Sequence, residues 1–266
     1  MQLLRTYPDL RMDWDYPFAN GGERSVARGY SKAVERARRL VYVEDQYLWG
    51  HHVGDVFTRA LTEHRDLHVV AVVPLVPDLE GALGRTPQLL GRRRAMLAMT
   101  KAAPDRVAIY GIENHAGTPV YVHAKTCIID DTWATIGSDN FNRRSWTHDS
   151  ELSAVVVDEA GEYARRLRLT LAAEHLERIP RSPADLLDGL ADCVEPAGMF
   201  AASAACAAVL DAWHEGGRVG PRPPGRLRRI APPSLGPLAR ALAAVPYLTM
   251  HDPDGRPRSL RRRDAF

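Results

Sequence analysis

Residues 121–151 read YVHAKTCIIDDTWATIGSDNFNRRSWTHDSE, and two short patterns inside this stretch decide how the chain is interpreted. The first pattern, H-x-K-x4-D, is formed by His123, Lys125 and Asp130. The second pattern, G-S-x-N, begins at Gly137. In a chain of this composition, chance would supply the first pattern about 0.01 times. The close succession of the two patterns therefore indicates a dedicated site.

Short β-rich runs surround both patterns and leave little room for helices between them. These runs cover residues 120–122, 126–129, 133–136 and 152–157. We expect them to be adjacent strands of one sheet, with a hairpin at Asp130 and Asp131. We also expect the strand that carries the first pattern to be extended from residue 121 to residue 129.

Helical and strand-like segments alternate before this stretch. Apolar residues recur at helical spacing in residues 22–37, and a β-rich run follows at residues 40–44. The same order repeats as a helix over 53–64, a strand over 67–74, a helix over 88–102 and a strand over 106–110. This alternation predicts an α/β layer architecture.

The chain after residue 158 is predicted to be helical and then extended. A helix over residues 159–177 closes the β-rich unit, and a break rich in proline follows it. An Ala-rich segment at residues 199–210 predicts a buried helix, since it is about half the length of a bilayer span. Residues 216–236 predict an extended surface strap. We therefore divide the chain into residues 1–178 and a C-terminal extension, residues 179–266, packed on them.

The composition gives no strong bias toward a polyanionic partner. The formal net charge is +2, from 35 basic and 33 acidic residues, so nucleic acid is a disfavoured partner. Arginine runs at residues 92–94 and 261–263 are expected to be solvated surfaces. The three cysteines have no disulfide or metal-ligand spacing, and charges near residue 1 interrupt any signal peptide. We expect a cytoplasmic protein that meets membranes only peripherally.

The residue types of the two patterns suit a phosphate group. On an extended strand, His123 and Lys125 face the same way because they are two residues apart. An imidazole can attack phosphorus or donate a proton, while an ammonium offsets charge on the non-bridging oxygens. Ser138 and Asn140 can add neutral hydrogen bonds. Asp130 would lie about 16 Å from Lys125 on a straight strand, so we assign it a structural role at the hairpin.

Together the two patterns resemble the signature of the phospholipase D superfamily, an HKD motif followed by G-S-x-N. The resemblance implies that residues 1–178 form a half-domain with an α/β/α sandwich around a mixed central sheet. It also implies catalysis by the HKD residues, phosphate contacts from Ser138 and Asn140, and a reaction that needs no metal ion or other cofactor.

Two further segments carry the resemblance. In the family an acidic residue on the strand after G-S-x-N orients the catalytic histidine, and Glu151 holds the matching position, with Asp149 as the alternative. Residues 41–49, VYVEDQYLW, are similar to the family's I-E-N-Q-Y/F stretch.

This second match implies that Glu44, Asp45, Gln46 and Tyr47 lie at a strand end beside the phosphate pocket. Gln46 is thus a further predicted phosphate ligand. At Asp45 the sequence departs from the family's usual Asn.

The sequence carries one HKD motif, whereas the resembling family brings two together. One histidine then attacks phosphorus to form a phosphohistidine, and the other protonates the leaving alcohol. None of the other nine histidines is followed two residues later by lysine. We expect the second motif to come from another copy in a homodimer or from a separate N-terminal half, and we slightly favour a truncated or split gene product.

The resemblance predicts a phosphodiesterase that hydrolyses glycerophospholipids, or exchanges their head groups, at a membrane surface. Two alternatives remain open. One is a homodimeric nuclease or phosphodiesterase of the same superfamily. The other is an inactive half-domain that serves as a scaffold or as the partner of a separately encoded half.

Overall fold

A mixed β-sheet lies at the centre of the molecule. The computed structural model describes residues 1–10, 16–77, 82–180 and 182–266, and within them the sheet has ten strands. The strands are β1 (Gln2–Tyr7), β2 (Glu23–Arg24), β3 (Leu40–Asp45), β4 (His68–Val72), β5 (Val107–Glu113), β6 (Pro119–Val120), β7 (Lys125–Ile129), β8 (Trp133–Gly137), β9 (Glu151–Val157) and β10 (Leu227–Arg229). Their order is β10-β5-β4-β3-β7-β8-β9-β1-β2, with β6 also paired to β5. Strand β4 is parallel to β3 and β5, and the other pairs are antiparallel.

Helices cover both faces of this sheet. They are α1 (Ser25–Arg36), α2 (His51–Glu63), α3 (Ala82–Ala102), α4 (Arg143–Thr147), α5 (Glu162–His175), α6 (Pro196–Glu215), α7 (Pro237–Pro246) and α8 (Arg258–Arg262). Short 3-10 turns at Pro183–Leu186 and Asp188–Cys193 and a π-helical turn at Tyr247–His251 connect them. The predicted α/β architecture with a mixed sheet is confirmed, although α3 begins earlier than residue 88.

Alternate residues of each central strand pack against opposite helical layers. Val41 and Val43 of β3 belong to the core cluster that also contains buried residues of α1, α2 and α3. Leu40 and Tyr42 belong to the cluster that includes α5 and α6. This two-residue period places Lys125 on the α1 side of β7, in line with buried Cys127.

A tight turn joins the end of β7 to β8. It lies at the opposite end of β7 from Lys125. Asp130 and Asp131 both have positive φ, 51° and 60°, which is the geometry of the predicted hairpin turn. Asp130 accepts the backbone N–H groups of Arg39 and Leu40 on one carboxylate oxygen, at 2.9 and 2.8 Å, and that of Arg38 on the other at 2.7 Å. Asp130 therefore fixes the entry into β3 and lies apart from Lys125.

Three strand predictions need correction. Strand β7 begins at Lys125 rather than at residue 121, so His123 precedes the strand. Strand β6 covers only Pro119–Val120 and pairs with β5, not with β7. The first strand, β1, was not predicted because one of its two buried side chains, Thr6, is polar, yet it pairs with β9 along five residues, from Gln2↔Val155 to Thr6↔Glu151.

The C-terminal extension shares the sheet and the core of the first 178 residues. Strand β10, from the predicted strap, adds to β5, and buried Glu113 at the end of β5 accepts from Arg222 at 3.1 Å and Arg228 at 2.9 Å. The expectation that Arg92 lies on a solvated surface is wrong. Its guanidinium is buried and donates to the backbone oxygen of Pro74 at 2.7 Å, because α3 packs this residue inward.

Helix α6 is, among the described residues, the one helix long and apolar enough to cross a membrane by length and composition. It is longer than the predicted Ala-rich segment. Met199, Ala202 and Leu210 are buried on one side of it, while its other side is exposed. This pattern is typical of a helix that packs one face on a protein core.

Candidate active site

Apart from Asp130, the predicted site residues lie at one edge of the sheet, where four strand ends meet. Lys125 begins β7 and pairs in register with Asp45, the last residue of β3. On the other side of β7, Gly137 ends β8 and Glu151 begins β9. These ends are adjacent because each of the three neighbouring strand pairs is antiparallel.

The Lys125 ammonium is held from two sides at this edge. Its Nζ donates to Gln46 Oε1 at 3.2 Å and to the backbone oxygen of His123 at 3.0 Å. Burial lowers the pKa of the Lys125 amine, while the carboxyl groups of Asp45 and Glu151 act in the opposite direction. The result is a positioned cation that can offset charge on a phosphate.

The His123 imidazole is exposed just before β7. Its ring stacks on that of Tyr121, with 6.2 Å between the ring centroids. Among the described residues, neither ring nitrogen of His123 makes a hydrogen bond. The ring is therefore accessible to a phosphorus atom, and the Lys125 ammonium bonds to the backbone of the same residue.

Glu151 contacts Ser138 in this structure, not His123. Ser138 Oγ donates to Glu151 Oε2, and burial raises the pKa of the Glu151 carboxyl. The expected contact with His123 is not made, because β8 lies between β7 and β9 and brings Ser138 closer. Asp149, the alternative, accepts from Arg144 Nε at 2.7 and 2.9 Å.

The side-chain amide of Asn140 lacks an expected partner. Asn140 is only 7% exposed, and its Oδ1 is buried without a hydrogen bond in the described part of the chain. A buried amide without partners is costly, so such groups usually meet a ligand or a water. Oδ1 is an acceptor and needs a donor such as water, whereas the Nδ2 of the same amide can donate to the oxygens of a phosphate.

A buried carboxyl group at this edge, Asp139, was missed by the sequence reasoning. It occupies the variable position of G-S-x-N and is 1% exposed. Oδ1 accepts from Ser153 Oγ, and Oδ2 has no partner within the described ranges. Burial raises the pKa of Asp139 to about 7, and the negative charges of Glu151 and Asp45 add to the effect. The available signal was an acidic residue inside a motif whose other side chains are uncharged.

Asp45 fastens the loop after β3. It is fully buried, and Oδ2 accepts the backbone N–H groups of Tyr47 at 2.7 Å and Leu48 at 2.6 Å. Oδ1 accepts the N–H of Phe141, just after G-S-x-N, at 3.0 Å. An Asn side chain could accept with only one oxygen, whereas the carboxylate accepts with both. Burial raises the pKa of Asp45, and these backbone donors oppose the rise.

Gln46 and Glu44 lie on opposite sides of the chain at the end of β3. The Gln46 amide donates to the Tyr121 hydroxyl and accepts from Lys125, so in this structure it positions the ammonium. Glu44 lies in the opposite helical layer, where its Oε1 is 2.7 Å from His175 Nε2. The implied place of Glu44 beside the phosphate is therefore wrong, because Glu44 faces the opposite side of β3 from its neighbour Asp45, which pairs with Lys125, whereas Gln46 follows the end of the strand.

No group of three or more His, Cys, Asp or Glu side chains is arranged to hold a metal ion in the ranges that the structure describes. The groups available at the edge are the Lys125 ammonium, the His123 imidazole, the Ser138 hydroxyl and the Asn140 amide. One cation, one titratable ring and two neutral polar groups can bind a phosphoryl group and react with it.

Comparisons with known proteins point to one family. The model for the cardiolipin synthase, PLD-like domain matches residues 63–172, which contain both motifs. The chain is 26% identical over 211 residues to phospholipase D zeta 2 of Arabidopsis thaliana, covering 58% of this chain and 20% of that protein. It is 27% identical over 244 residues to human phospholipase D1, covering 72% of this chain and 22% of that protein.

The chain thus spans about a fifth of the length of the curated relatives that it matches. Among solved structures, phosphatidylserine synthase of Haemophilus influenzae Rd KW20 is similar with a TM-score of 0.47 and 14% identity, covering 72% of this chain and 45% of that one. The matching family model, the relatives and the two motifs all support the phospholipase D superfamily.

Proposed function

We propose that this chain is one catalytic half of a phospholipase D-type phosphodiesterase acting on glycerophospholipids. The observation that supports the proposal most is the combination of an exposed His123 imidazole with a Lys125 ammonium positioned by Gln46 and by the His123 backbone oxygen at the start of β7. These groups would hold the phosphate of a phospholipid head group. The second HKD motif would come from another copy of this chain or from a separate half.

The reaction would proceed in two displacements. A ring nitrogen of one HKD histidine attacks phosphorus, and the bond from phosphorus to the head-group alcohol breaks. The other histidine gives its proton to the departing alcohol. Water then attacks the phosphohistidine, gives its proton to that second histidine, and releases phosphatidic acid. If another alcohol replaces water, the head group is exchanged.

The test is release of choline from phosphatidylcholine by the chain alone and by the chain mixed with an N-terminal HKD half. We expect His123→Ala to abolish the release that either preparation gives. His115→Ala is the matched control, since His115 is exposed and lies outside the cluster. Turnover that survives His123→Ala would contradict the proposal. Cleavage of plasmid DNA without choline release would favour the nuclease alternative.

A further inference from the structure

Helix α7 presents an apolar ridge to solvent. Leu238, Leu242 and Val245 are 72%, 70% and 67% exposed, and their spacing places them on one face of the helix. Met250, in the turn that follows, is also 70% exposed. A contiguous group of large exposed apolar side chains on a folded protein usually marks a contact surface.

The opposite face of α7 is fixed to the candidate active site. Ala243 and Tyr247 form a small core with Trp49 and Leu90. The Trp49 ring is 6.3 Å from that of Tyr247 and 4.1 Å from that of Tyr47, measured between centroids. Tyr47 follows directly after Gln46, which contacts Lys125. These contacts connect the helix that carries the ridge to the loop after β3, which contains Gln46 and Tyr47.

The segment of sequence that contains the ridge is basic. Residues 216–251 contain six arginines and no Asp or Glu. Arg222, Arg226 and Arg228 pair with acidic residues elsewhere in the chain. Arg240, on α7 itself, is exposed and makes no ion pair in the described part of the chain. A phospholipid surface with anionic head groups complements an apolar ridge flanked by such a cation.

We propose that α7 is the membrane-contact surface of this enzyme. Leu238, Leu242 and Val245 would enter the boundary between head groups and acyl chains, with Arg240 on an anionic head group. The ridge would thereby hold the His123 edge against the phosphates that it acts on. This inference rests on the proposed function for its purpose, but vesicle binding does not require turnover.

The first test is cosedimentation of the chain with vesicles of phosphatidylcholine alone or mixed with phosphatidylglycerol. The triple variant Leu238→Ser, Leu242→Ser, Val245→Ser should bind mixed vesicles at least about tenfold more weakly, because it removes the apolar contact. Arg240→Gln should reduce only the gain that phosphatidylglycerol gives. The matched control, Val209→Ser with Val219→Ser, changes side chains that are 52% and 81% exposed elsewhere.

The second test separates docking from catalysis. In the enzyme completed with an N-terminal half, the triple variant should lose turnover of vesicle lipid but keep turnover of a monomeric short-chain phosphatidylcholine. Equal vesicle binding by the triple variant and the wild type would overturn the inference, as would no wild-type binding to either vesicle. If the triple variant instead dissociates a dimer in sedimentation equilibrium, the ridge is a protein interface and the membrane assignment is wrong. Unchanged circular dichroism confirms that the variants fold.

Discussion

Lys125 is the cation at an edge that also carries three carboxyl groups, those of Asp45, Asp139 and Glu151. Unopposed carboxylates would repel a phosphate, so attraction depends on the ammonium. The sequence predicted Lys125 and His123 from residue types and spacing alone. It could not predict that Glu151 contacts Ser138, because that contact depends on which strand lies between β7 and β9.

Replacing the ammonium should therefore weaken both the binding and the reaction of the phosphate. Lys125→Met is expected to lower kcat/KM of the completed enzyme for short-chain phosphatidylcholine on the order of 10²–10³-fold, the usual effect of losing one donor to the transition state. Lys101→Met, an exposed lysine at the end of α3, is the control. Near-normal turnover by Lys125→Met would show that this cation does not contact the reacting phosphate.

The buried Asp139 carboxyl should make stability depend on pH. Its pKa in the folded chain is about 7, above the ordinary value of 3.8, because burial disfavours the charged form. Protonated Asp139 contributes to the free energy of unfolding. This contribution is fully present below pH 3.8 and is lost as the pH rises through about 7. The side chain of Asp139→Asn cannot lose a proton, so the free energy of unfolding of this variant, relative to wild type, should increase with pH.

Urea unfolding at pH 4 and at pH 8 measures this effect. The difference in free energy of unfolding between Asp139→Asn and wild type should increase by up to roughly 4 kcal/mol over that interval. Asp105→Asn, at an exposed turn, should show no such change. A constant difference would mean that Asp139 stays ionised in the folded chain.

At the level of secondary-structure elements, the sheet explains why G-S-x-N begins with glycine. Gly137 ends β8 opposite Ser153 of β9. A Cβ at Gly137 would overlap the Ser153 side chain and come within 2.6 Å of its Cα. The motif contains this glycine, but the sequence does not show why a glycine is needed there, because Ser153 is 16 residues away along the chain (153 minus 137).

Gly137→Ala should therefore force β8 and β9 apart at the site. We expect a loss of about 1–3 kcal/mol in the free energy of unfolding, as for other overpacked positions. Chemical denaturation measures it, with Gly236→Ala as a control, where nothing lies within 4 Å of the added carbon and φ is −62°. A loss no larger than that of the control would contradict the close approach.

The hairpin at the other end of β7 should matter for stability and not for catalysis. Asp130→Ala removes the acceptor of three backbone N–H groups at the start of β3, which should cost about 1–3 kcal/mol. Its kcat at a temperature well below the unfolding midpoint should equal that of wild type. A large fall in kcat with unchanged stability would instead assign Asp130 a place in the chemistry.

For the molecule as a whole, local sequence patterns predicted the secondary structure, whereas contacts between distant segments could not be predicted from the sequence. Strands, helices and the hairpin have periods and turn residues that are visible within a few positions. The addition of β10 to β5, the burial of Arg92 and the anchoring of α7 on Trp49 join segments far apart in the sequence. No short pattern encodes such contacts, because each depends on how the completed sheet brings the segments together.

The convergence of His123 and Lys125 on one phosphate is tested most directly by titrating inorganic phosphate into the whole chain labelled with ¹⁵N at histidine and lysine. We predict that the His123 ring and Lys125 Nζ signals shift together with one dissociation constant, and that Lys125→Met removes the His123 shift. His115 should not respond. Independent titration of the two signals, or phosphate binding that leaves both unchanged, would contradict a shared site.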